Sequence, residues 1–398
     1  MSAPPSLPVV DDAREARAAS DDTRALTVRD FWYVACESRE LTGKNVVGRT
    51  ILDEGLALFR DEEGRAVALR DRCMHRAAPL SKGHITAPGC LRCPYHGWEY
   101  DGRGEVVRVP CEKDGFTVTT SSSEDAGDRA PSKRGGVARS ARVHETRELD
   151  GLVFVRLVDD DPRSDAHEAA RRAIEPFRSP SYGAKGYRTV RLQNRFANDV
   201  TNCAENFIDI PHTVFVHPAI FRDARGQRIA ATITRTEGRV DVVYDGETDN
   251  LGWFNWFLNP GAQKIEHTDH FFMPNVTSVH YVFGRRADGS PRKHFIITSQ
   301  CVPVKDDETL VFTDLTFDYG VWNLFAAPIV KWQGQKVIDQ DIEILKMQME
   351  NIKRTGSTFA HTSADTIHLF VESIRDALAE GRDPRALPEK SRRVEFFV

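Results

Sequence analysis

Two short segments of the sequence each place a cysteine close to a histidine. Cys73-Met74-His75 is followed, after seventeen intervening residues, by Cys93-Pro94-Tyr95-His96-Gly97-Trp98. Thiolates and imidazoles are the ligands that proteins use for zinc and for iron-sulfur clusters. Two hairpin tips held side by side by a β-scaffold could bring these four side chains together, so the pattern predicts a metal centre.

The distribution of the four residues indicates which metal they bind. Structural zinc sites commonly pair Cys with Cys and His with His, whereas each segment here has one of each. That alternation fits a [2Fe-2S] cluster in which one iron takes both thiolates and the other takes both imidazoles. The sequence therefore favours an iron-sulfur cluster, and a structural zinc site is the alternative.

A second group of candidate ligands lies between residues 205 and 218. His212 and His217 follow the carboxylate of Asp209, and two histidines with one carboxylate leave positions open for dioxygen on ferrous iron. Histidines five residues apart point about 140° apart around an ideal helix, so a regular helix could not aim both at one metal. Pro211 and Pro218 predict that the helix is interrupted here. The alternative is two histidines that simply pack on a helix.

A long amphipathic helix, predicted from about Pro328 to Arg354, offers a further carboxylate. Its apolar residues recur at spacings of four and three, at Ile338, Ile342, Leu345, Met349 and Ile352. Asp341 lies about 60° from the centre of this stripe, and Asp339 about 100°. A carboxylate near an apolar face is costly unless it is paired or bound to metal. Asp341 therefore points closer to the interior than Asp339, which favours it as a ligand.

The pattern of apolar and turn-forming residues divides the chain. We predict a flexible tail at residues 1–27 and an all-β domain at residues 28–159, with a mobile polar insertion at about 117–138. Residues 160–398 are predicted to form a second domain. The acidic run Asp159-Asp160-Asp161 before Pro162 marks the boundary. Six segments of strand character in the second domain predict an antiparallel sheet, with the long helix lying across it. The expected fold class is α+β.

Composition excludes several classes of function. The 398 residues carry a net charge of −5, which offers no broad attraction for nucleic acid or for an anionic membrane. The sequence contains no run of 18 apolar residues and no apolar signal core, which predicts a cytoplasmic protein without a membrane span. Seven cysteines, an odd number, argue against a disulfide framework.

The motifs resemble those of the Rieske non-haem iron oxygenases, oxygenase (alpha) component, from about residue 28 onward. The C-x-H and C-P-Y-H-G-W segments, the E-N-x-x-D-x-x-H-x4-H run and Asp341 with Ile344 and Gln348 carry the resemblance. It implies that one cluster iron is bound by Cys73 and Cys93 and the other by His75 and His96. It implies ligands of a mononuclear Fe(II) at His212, His217 and Asp341. It also implies catalytic roles for Asn206 and Asp209, the latter bridging to a cluster histidine of a neighbouring subunit.

The resemblance further implies a Rieske domain followed by a helix-grip (START-like) domain, in a head-to-tail homotrimer. NAD(P)H electrons would arrive through a separate ferredoxin or flavin reductase. With dioxygen, they would hydroxylate or oxidatively demethylate a small organic substrate, a secondary metabolite. Segments 313–323 and 339–348 resemble the single-subunit monooxygenase branch that includes saxitoxin-pathway hydroxylases. The alternatives are cis-dihydroxylation of an aromatic ring and a non-catalytic Rieske electron carrier. Aromatic residues at 253–257, 271–272 and 281 are expected in the core rather than in the site.

Overall fold

The computed structural model describes residues 26–86, 89–111, 116–117, 140–159, 165–218, 228–245, 259 and 264–397. The predicted tail and the predicted insertion lie almost wholly outside these ranges, as do residues 160–164 at the predicted boundary and the aromatic residues at 253–257. The division into domains at those boundaries stays a prediction.

The first part of the chain is an all-β arrangement of short strands. These are β1 (Tyr33–Glu37), β2 (Val47–Ile51), β3 (Glu54–Arg60), β4 (Ala66–Arg70), β5 (His84–Thr86), β6 (Cys90–Arg92), β7 (Glu99–Tyr100), β8 (Val106–Val109), β9 (Phe116–Thr117), β10 (Val143–Leu149) and β11 (Leu152–Arg156). One sheet has the order β1-β11-β10-β4-β3-β2, and the other the order β5-β6-β7-β8-β9. Phe59, Leu91 and Tyr100, which come from both sheets, are fully buried in one shared apolar cluster.

The second part is organised around one large antiparallel sheet. Its strands are β12 (Arg188–Phe196), β13 (Arg228–Thr236), β14 (Arg239–Asp245), β15 (Ile265–Phe272), β16 (Val276–Arg285), β17 (Pro291–Lys305), β18 (Glu308–Asp318) and β19 (Lys390–Phe397). They lie in the order β12-β18-β17-β16-β15-β14-β13-β19. Six of the eight contain the segments predicted from the sequence, whereas β15 and β19 were not indicated by it.

Within the described ranges the α-helices are α1 (Asp165–Arg172), α2 (Val200–Asn206), α3 (Thr213–Val216), α4 (Asn323–Thr355) and α5 (Thr366–Ala379). The long helix α4 packs against β12 and β18. At Gly334 a Cβ atom would come within 2.5 Å of Leu315 Cδ1, so the missing side chain allows the helix to lie close to the sheet. Helix α4 begins five residues before the predicted start at Pro328, because Asn323 fixes its first turn by accepting from Tyr319 N and donating to Gly186 O.

The two parts of the chain share a buried apolar cluster. Leu56 and Phe154 of the first part belong to the same cluster as Val302 and Phe312, which lie on β17 and β18. The predicted α+β class, with a β-rich first part and an antiparallel sheet crossed by a long helix, is confirmed. None of the helices in the described ranges is long and apolar enough to cross a bilayer.

A partly buried carboxylate at the start of β3 gives a test of the first part's packing. Glu54 lies 2.7 Å from Arg29 Nη2 and 3.2 Å from His144 Nε2. Burial alone would raise the pKa of Glu54, but the nearby His144 imidazole and the hydrogen-bonded Arg29 guanidinium outweigh it and lower the pKa to about 2. A carboxyl with a lowered pKa stabilises the folded state above its unfolded pKa, and this contribution is lost as the pH falls towards 2.

We therefore expect Glu54→Gln to destabilise the protein at pH 7 by about 2 kcal/mol. The difference in melting temperature between wild type and variant should shrink by more than half by about pH 3, as followed by far-ultraviolet circular dichroism. The control is Glu63→Gln, because Glu63 pairs with Arg65 on the surface and its side chain is 53% exposed. An equal melting temperature for wild type and Glu54→Gln at pH 7 would contradict this account.

Candidate functional site

The four Cys and His residues of the first part lie in two similar turns, here called the ligand tips. The second tip joins the paired strands β6 and β7, whereas the first connects β4 to β5 in the other sheet and is not the predicted hairpin. Cys73 N donates to Ala78 O at 2.9 Å and Cys93 N donates to Trp98 O at 2.8 Å, so a backbone hydrogen bond closes each tip. Gly97 turns the second tip with a φ of 73°, a conformation that glycine adopts without strain. Both cysteine side chains are buried, whereas Tyr95 beside the second pair is 65% exposed.

The histidines of the two tips face each other, with ring centroids of His75 and His96 4.5 Å apart. Trp98 stacks on His75 at 5.0 Å, and His75 Nδ1 is buried without a hydrogen-bond partner. Tyr100 Oη lies 3.2 Å from Cys73 Sγ and accepts from Met74 N at 2.9 Å. Burial raises the pKa of Cys93, so metal binding there would displace a proton.

The donor set of the tips bears on the choice between zinc and an iron-sulfur cluster. Each tip supplies one thiolate and one imidazole, and His75 Nδ1 is buried without a hydrogen-bond partner. A two-iron cluster, in which one iron takes both thiolates and the other both imidazoles, fits this donor set better than a single zinc ion.

The second group of predicted ligands converges between α2, α3 and α4. His212 and His217 flank the single turn of α3, and Asp341 projects from α4. Asp341 Oδ1 lies 3.1 Å from His217 Nε2 and 3.6 Å from His212 Nε2 and forms no hydrogen bond with either. His217 and Asp341 are buried, so three ligand atoms point at one enclosed position.

Neighbouring side chains fix which nitrogen each histidine presents. His217 Nδ1 lies 2.9 Å from Gln340 Oε1, and His212 Nδ1 lies 3.2 Å from Asp209 Oδ2. Since both partners accept, the Nδ1 atoms carry the protons and the Nε2 atoms are left to bind a metal.

The charges at this position favour a cation. Burial acts to lower the pKa of His212, but Asp209 and Asp341 outweigh it and raise the pKa to about 9. Burial acts to raise the pKa of Asp341, but the two imidazoles hold it below its ordinary value. Without a metal, the position therefore retains a proton between the imidazoles and the carboxylate, and a divalent cation would replace that proton.

The remaining predicted residues lie around the same position. Asn206 and Asp209 border the cavity described below, and Asn206 Nδ2 is buried without a hydrogen-bond partner. Asp339 is exposed on α4 and accepts from Gln335 Nε2 at 2.8 Å, as expected for a solvated charge. Gln340 was not identified from the sequence, because its role depends on how α4 is placed beside His217.

A cavity lies between the sheet and α4 and reaches His212, His217 and Asp341. Its wall is mostly apolar and includes Phe207, Val279, Phe295, Ile297, Leu315 and Ile338. Tyr281, expected in the core, also lines it. Two polar residues of β15, His267 and Asp269, line the cavity as well, and no sequence motif pointed to them. The cavity could hold an apolar organic molecule beside the three converging ligands.

Two family models match the chain. The model described as Rieske [2Fe-2S] domain matches residues 31–122, which include both ligand tips. The model described as Vanillate O-demethylase oxygenase C-terminal domain matches residues 198–381, which include His212, His217 and Asp341.

Several characterised proteins are similar in sequence. The oxygenase component of dicamba O-demethylase from Stenotrophomonas maltophilia is 26% identical over 354 residues, which cover 85% of this chain and 94% of that protein. Methylxanthine N1-demethylase NdmA from Pseudomonas putida is 27% identical, over 73% of this chain and 78% of that protein. Chlorophyllide a oxygenase from Chlamydomonas reinhardtii is 36% identical over 89% of this chain, which spans only 50% of that longer protein.

Solved structures show the same fold. The crystal structure of dicamba monooxygenase bound to dicamba superimposes with a TM-score of 0.69 at 24% identity, and the match covers 89% of this chain and 98% of that one. The two family models and the shared fold cover both groups of candidate ligands. The chain therefore belongs to the Rieske non-haem iron oxygenases and corresponds to their oxygenase (alpha) component.

Proposed function

We propose that this chain is a terminal oxygenase that uses dioxygen and electrons from a separate reductase or ferredoxin to hydroxylate or oxidatively demethylate a small organic substrate. One observation carries the proposal: two histidines and one carboxylate converge on a position that opens into a mostly apolar cavity, in a chain that also has two ligand tips with a Cys and a His each. An electron carrier fused to an inert binding module would not need such a convergence of buried ligands.

The proposed roles follow the chemistry of each donor set. Cys73 and Cys93 would hold one iron of the cluster, and His75 and His96 the other. His212, His217 and Asp341 would hold the mononuclear iron. A Rieske cluster supplies electrons one at a time, and a ferrous ion with two imidazoles and one carboxylate keeps positions open for dioxygen. Gln340 and Asp209 keep the Nε2 atoms of the two histidines free for the metal.

Asp209 is the proposed link to a neighbouring protomer. Its carboxylate contacts His212 Nδ1 but keeps 29% of its side chain exposed, so a second imidazole can reach it from outside. A head-to-tail trimer would bring His75 or His96 of one protomer to Asp209 of the next. A carboxylate hydrogen-bonded to an imidazole at each end would couple their protonation and shorten the electron path.

The relatives named above support the reaction type. Dicamba O-demethylase and the methylxanthine N1-demethylase are both named for removal of a methyl group, which favours hydroxylation or oxidative demethylation over cis-dihydroxylation of an arene. The mostly apolar cavity fits a substrate of this small organic kind. A secondary metabolite as substrate, NAD(P)H as the ultimate donor and a cytoplasmic location stay predictions.

Replacing the carboxylate ligand tests the proposed mononuclear site. Asp341→Ala should lower the iron content from about three to about two atoms per chain and reduce product formation at least about 100-fold, while the visible absorption of the cluster persists. Asp339→Ala is the matched control, because Asp339 lies two residues away on the exposed side of the same helix. Full iron content in Asp341→Ala would show that another residue supplies the ligand.

Replacing Asp209 tests the proposed electron path. Asp209→Asn should slow single-turnover product formation from pre-reduced protein by about tenfold or more, because the bridging acceptor between two imidazoles is lost. Iron content should be retained, and Asp339→Asn serves as the control. Rapid mixing with oxygen followed by chemical quench measures the rate, and an unchanged rate would exclude a bridging role.

Replacing Gln340 tests the orientation of His217. Gln340→Leu removes the acceptor of His217 Nδ1–H and should weaken iron binding about 10- to 100-fold, as measured by competition with a chelator. Gln340→Glu keeps an acceptor at the same place and should bind iron nearly as tightly as the wild type. Equal weakening in both variants would mean that Gln340 acts through packing alone.

A further inference from the structure

Asn198 lies in the connection between β12 and α2, and its side chain is fully buried. From there the chain continues through α2 to His212 and His217, two of the proposed iron ligands. An asparagine side chain can donate two hydrogen bonds and accept two. Because burial of an amide without partners is costly, the partners of Asn198 indicate which elements it holds together.

All four hydrogen bonds of this amide are made within the protein. Nδ2 donates to Leu345 O at 2.7 Å and to Gln348 Oε1 at 2.9 Å, and both acceptors belong to α4. Oδ1 accepts from Asp199 N at 2.8 Å and from Asn202 Nδ2 at 2.9 Å, at the start of α2. The amide of Asn198 therefore connects the start of α2 with α4, and its bonding capacity is filled.

The backbone of Asn198 is held by the sheet and by α2. Thr309 Oγ1, near the start of β18, donates to Asn198 O at 2.9 Å, and Thr309 is fully buried. The next residue, Asp199, caps α2 by accepting from Thr201 N and Asn202 N. Since these bonds fix Asn198 without any contribution from α4, the position of α4 has to match the amide rather than the reverse.

The bonds from Asn198 reach α4 just after the proposed carboxylate ligand. Leu345 and Gln348 follow Asp341 by four and seven residues, which corresponds to about 6 Å and about 10 Å along the helix axis. A shift of α4 by one residue would move the helix by about 1.5 Å and turn it by about 100°. Such a shift would break both bonds and turn Asp341 away from His212 and His217.

A second pair of amides holds α4 before Asp341. Gln335 Nε2 donates to Asn194 Oδ1 at 2.7 Å and connects the helix with β12. Gln335 Nε2 also donates to Asp339 Oδ1, and both amides of the pair are only partly buried. Because water competes for partly exposed polar groups, this pair constrains the helix less than the buried amide of Asn198 does.

We propose that Asn198, together with Gln348, is a positioning residue that sets the rotation and the axial position of α4 and thereby places the Asp341 carboxylate at the iron site. The inference rests on the proposed function, because it assumes that His212, His217 and Asp341 bind iron. It also assigns a role to Gln348, which belongs to the sequence pattern that carries the family resemblance.

Iron binding without turnover tests the proposal. The protein is loaded with its cluster, kept oxidised and free of oxygen, and the affinity of the second site for ferrous iron is measured by competition with a chelator. Nitric oxide is then added, and electron paramagnetic resonance of the iron-nitrosyl complex reports the ligand geometry. Asn198→Ala should weaken iron binding about tenfold or more and split the single wild-type signal into several, because Asp341 loses its fixed position.

Variants of Gln348 test the bond between the two residues. Gln348→Leu leaves one donor of Asn198 without its acceptor and should also weaken iron binding, whereas Gln348→Glu keeps an acceptor oxygen and should bind iron nearly as tightly as the wild type. The double variant Asn198→Ala/Gln348→Leu should bind little more weakly than Asn198→Ala, because both changes remove the same bond. Gln348→Leu alters a partly exposed position and decides the question if Asn198→Ala does not fold.

Asn275→Ala is the matched control for the loss of a buried amide. Asn275 is 2% exposed, lies in the turn between β15 and β16, and donates from Nδ2 to Cys301 O on β17. This variant should lower the melting temperature and leave the iron affinity and the nitrosyl signal unchanged.

Two results would overturn the proposal while the proposed function stands. One is that Asn198→Ala weakens iron binding no more than Asn275→Ala does. The other is that Gln348→Leu and Gln348→Glu bind iron equally well. Wild-type protein that binds no ferrous iron outside the cluster would overturn both the proposed function and this inference.

Discussion

The convergence of His212, His217 and Asp341 on one buried position is the constraint on which the rest of the second part depends. A carboxylate that is 4% exposed beside two imidazoles costs free energy unless a cation or a proton compensates it. Several elements are needed to hold it: the break between α2 and α3, the close approach of α4 at Gly334, and the hydrogen bonds from Nδ1 of each histidine. The cavity is the space that this arrangement leaves between helix and sheet.

The two parts of the chain are joined by more than a linker. Leu52 N and Asp53 N donate to Pro303 O and Val304 O, and the apolar cluster of the first part continues into β17 and β18. The same β18 supplies Thr313 and Leu315 to the cavity. The ligand tips are thus carried by a part of the chain that packs directly on the large sheet of the second part.

Residues whose chemistry is local in sequence could be predicted, and residues whose role depends on packing could not. In each tip the cysteine and the histidine lie two or three residues apart, and helical angles together with the family pattern distinguished Asp341 from Asp339. The role of Gln340 could not be predicted from the sequence, because only the placement of α4 brings this side chain to His217. Strand β15 was not predicted for a related reason. His267 and Asp269 occupy two of its inward positions, so the alternation of apolar and polar residues that indicates a strand is interrupted there.

The central claim is that one chain holds iron in two different environments. Mössbauer spectroscopy of wild-type protein reconstituted with ⁵⁷Fe and reduced anaerobically tests it most directly. The account predicts that about one third of the iron is high-spin ferrous with nitrogen and oxygen ligands, and that the remainder belongs to a cluster with one sulfur-bound and one histidine-bound site. A spectrum with the cluster signals alone, or no iron at the ligand tips, would contradict it.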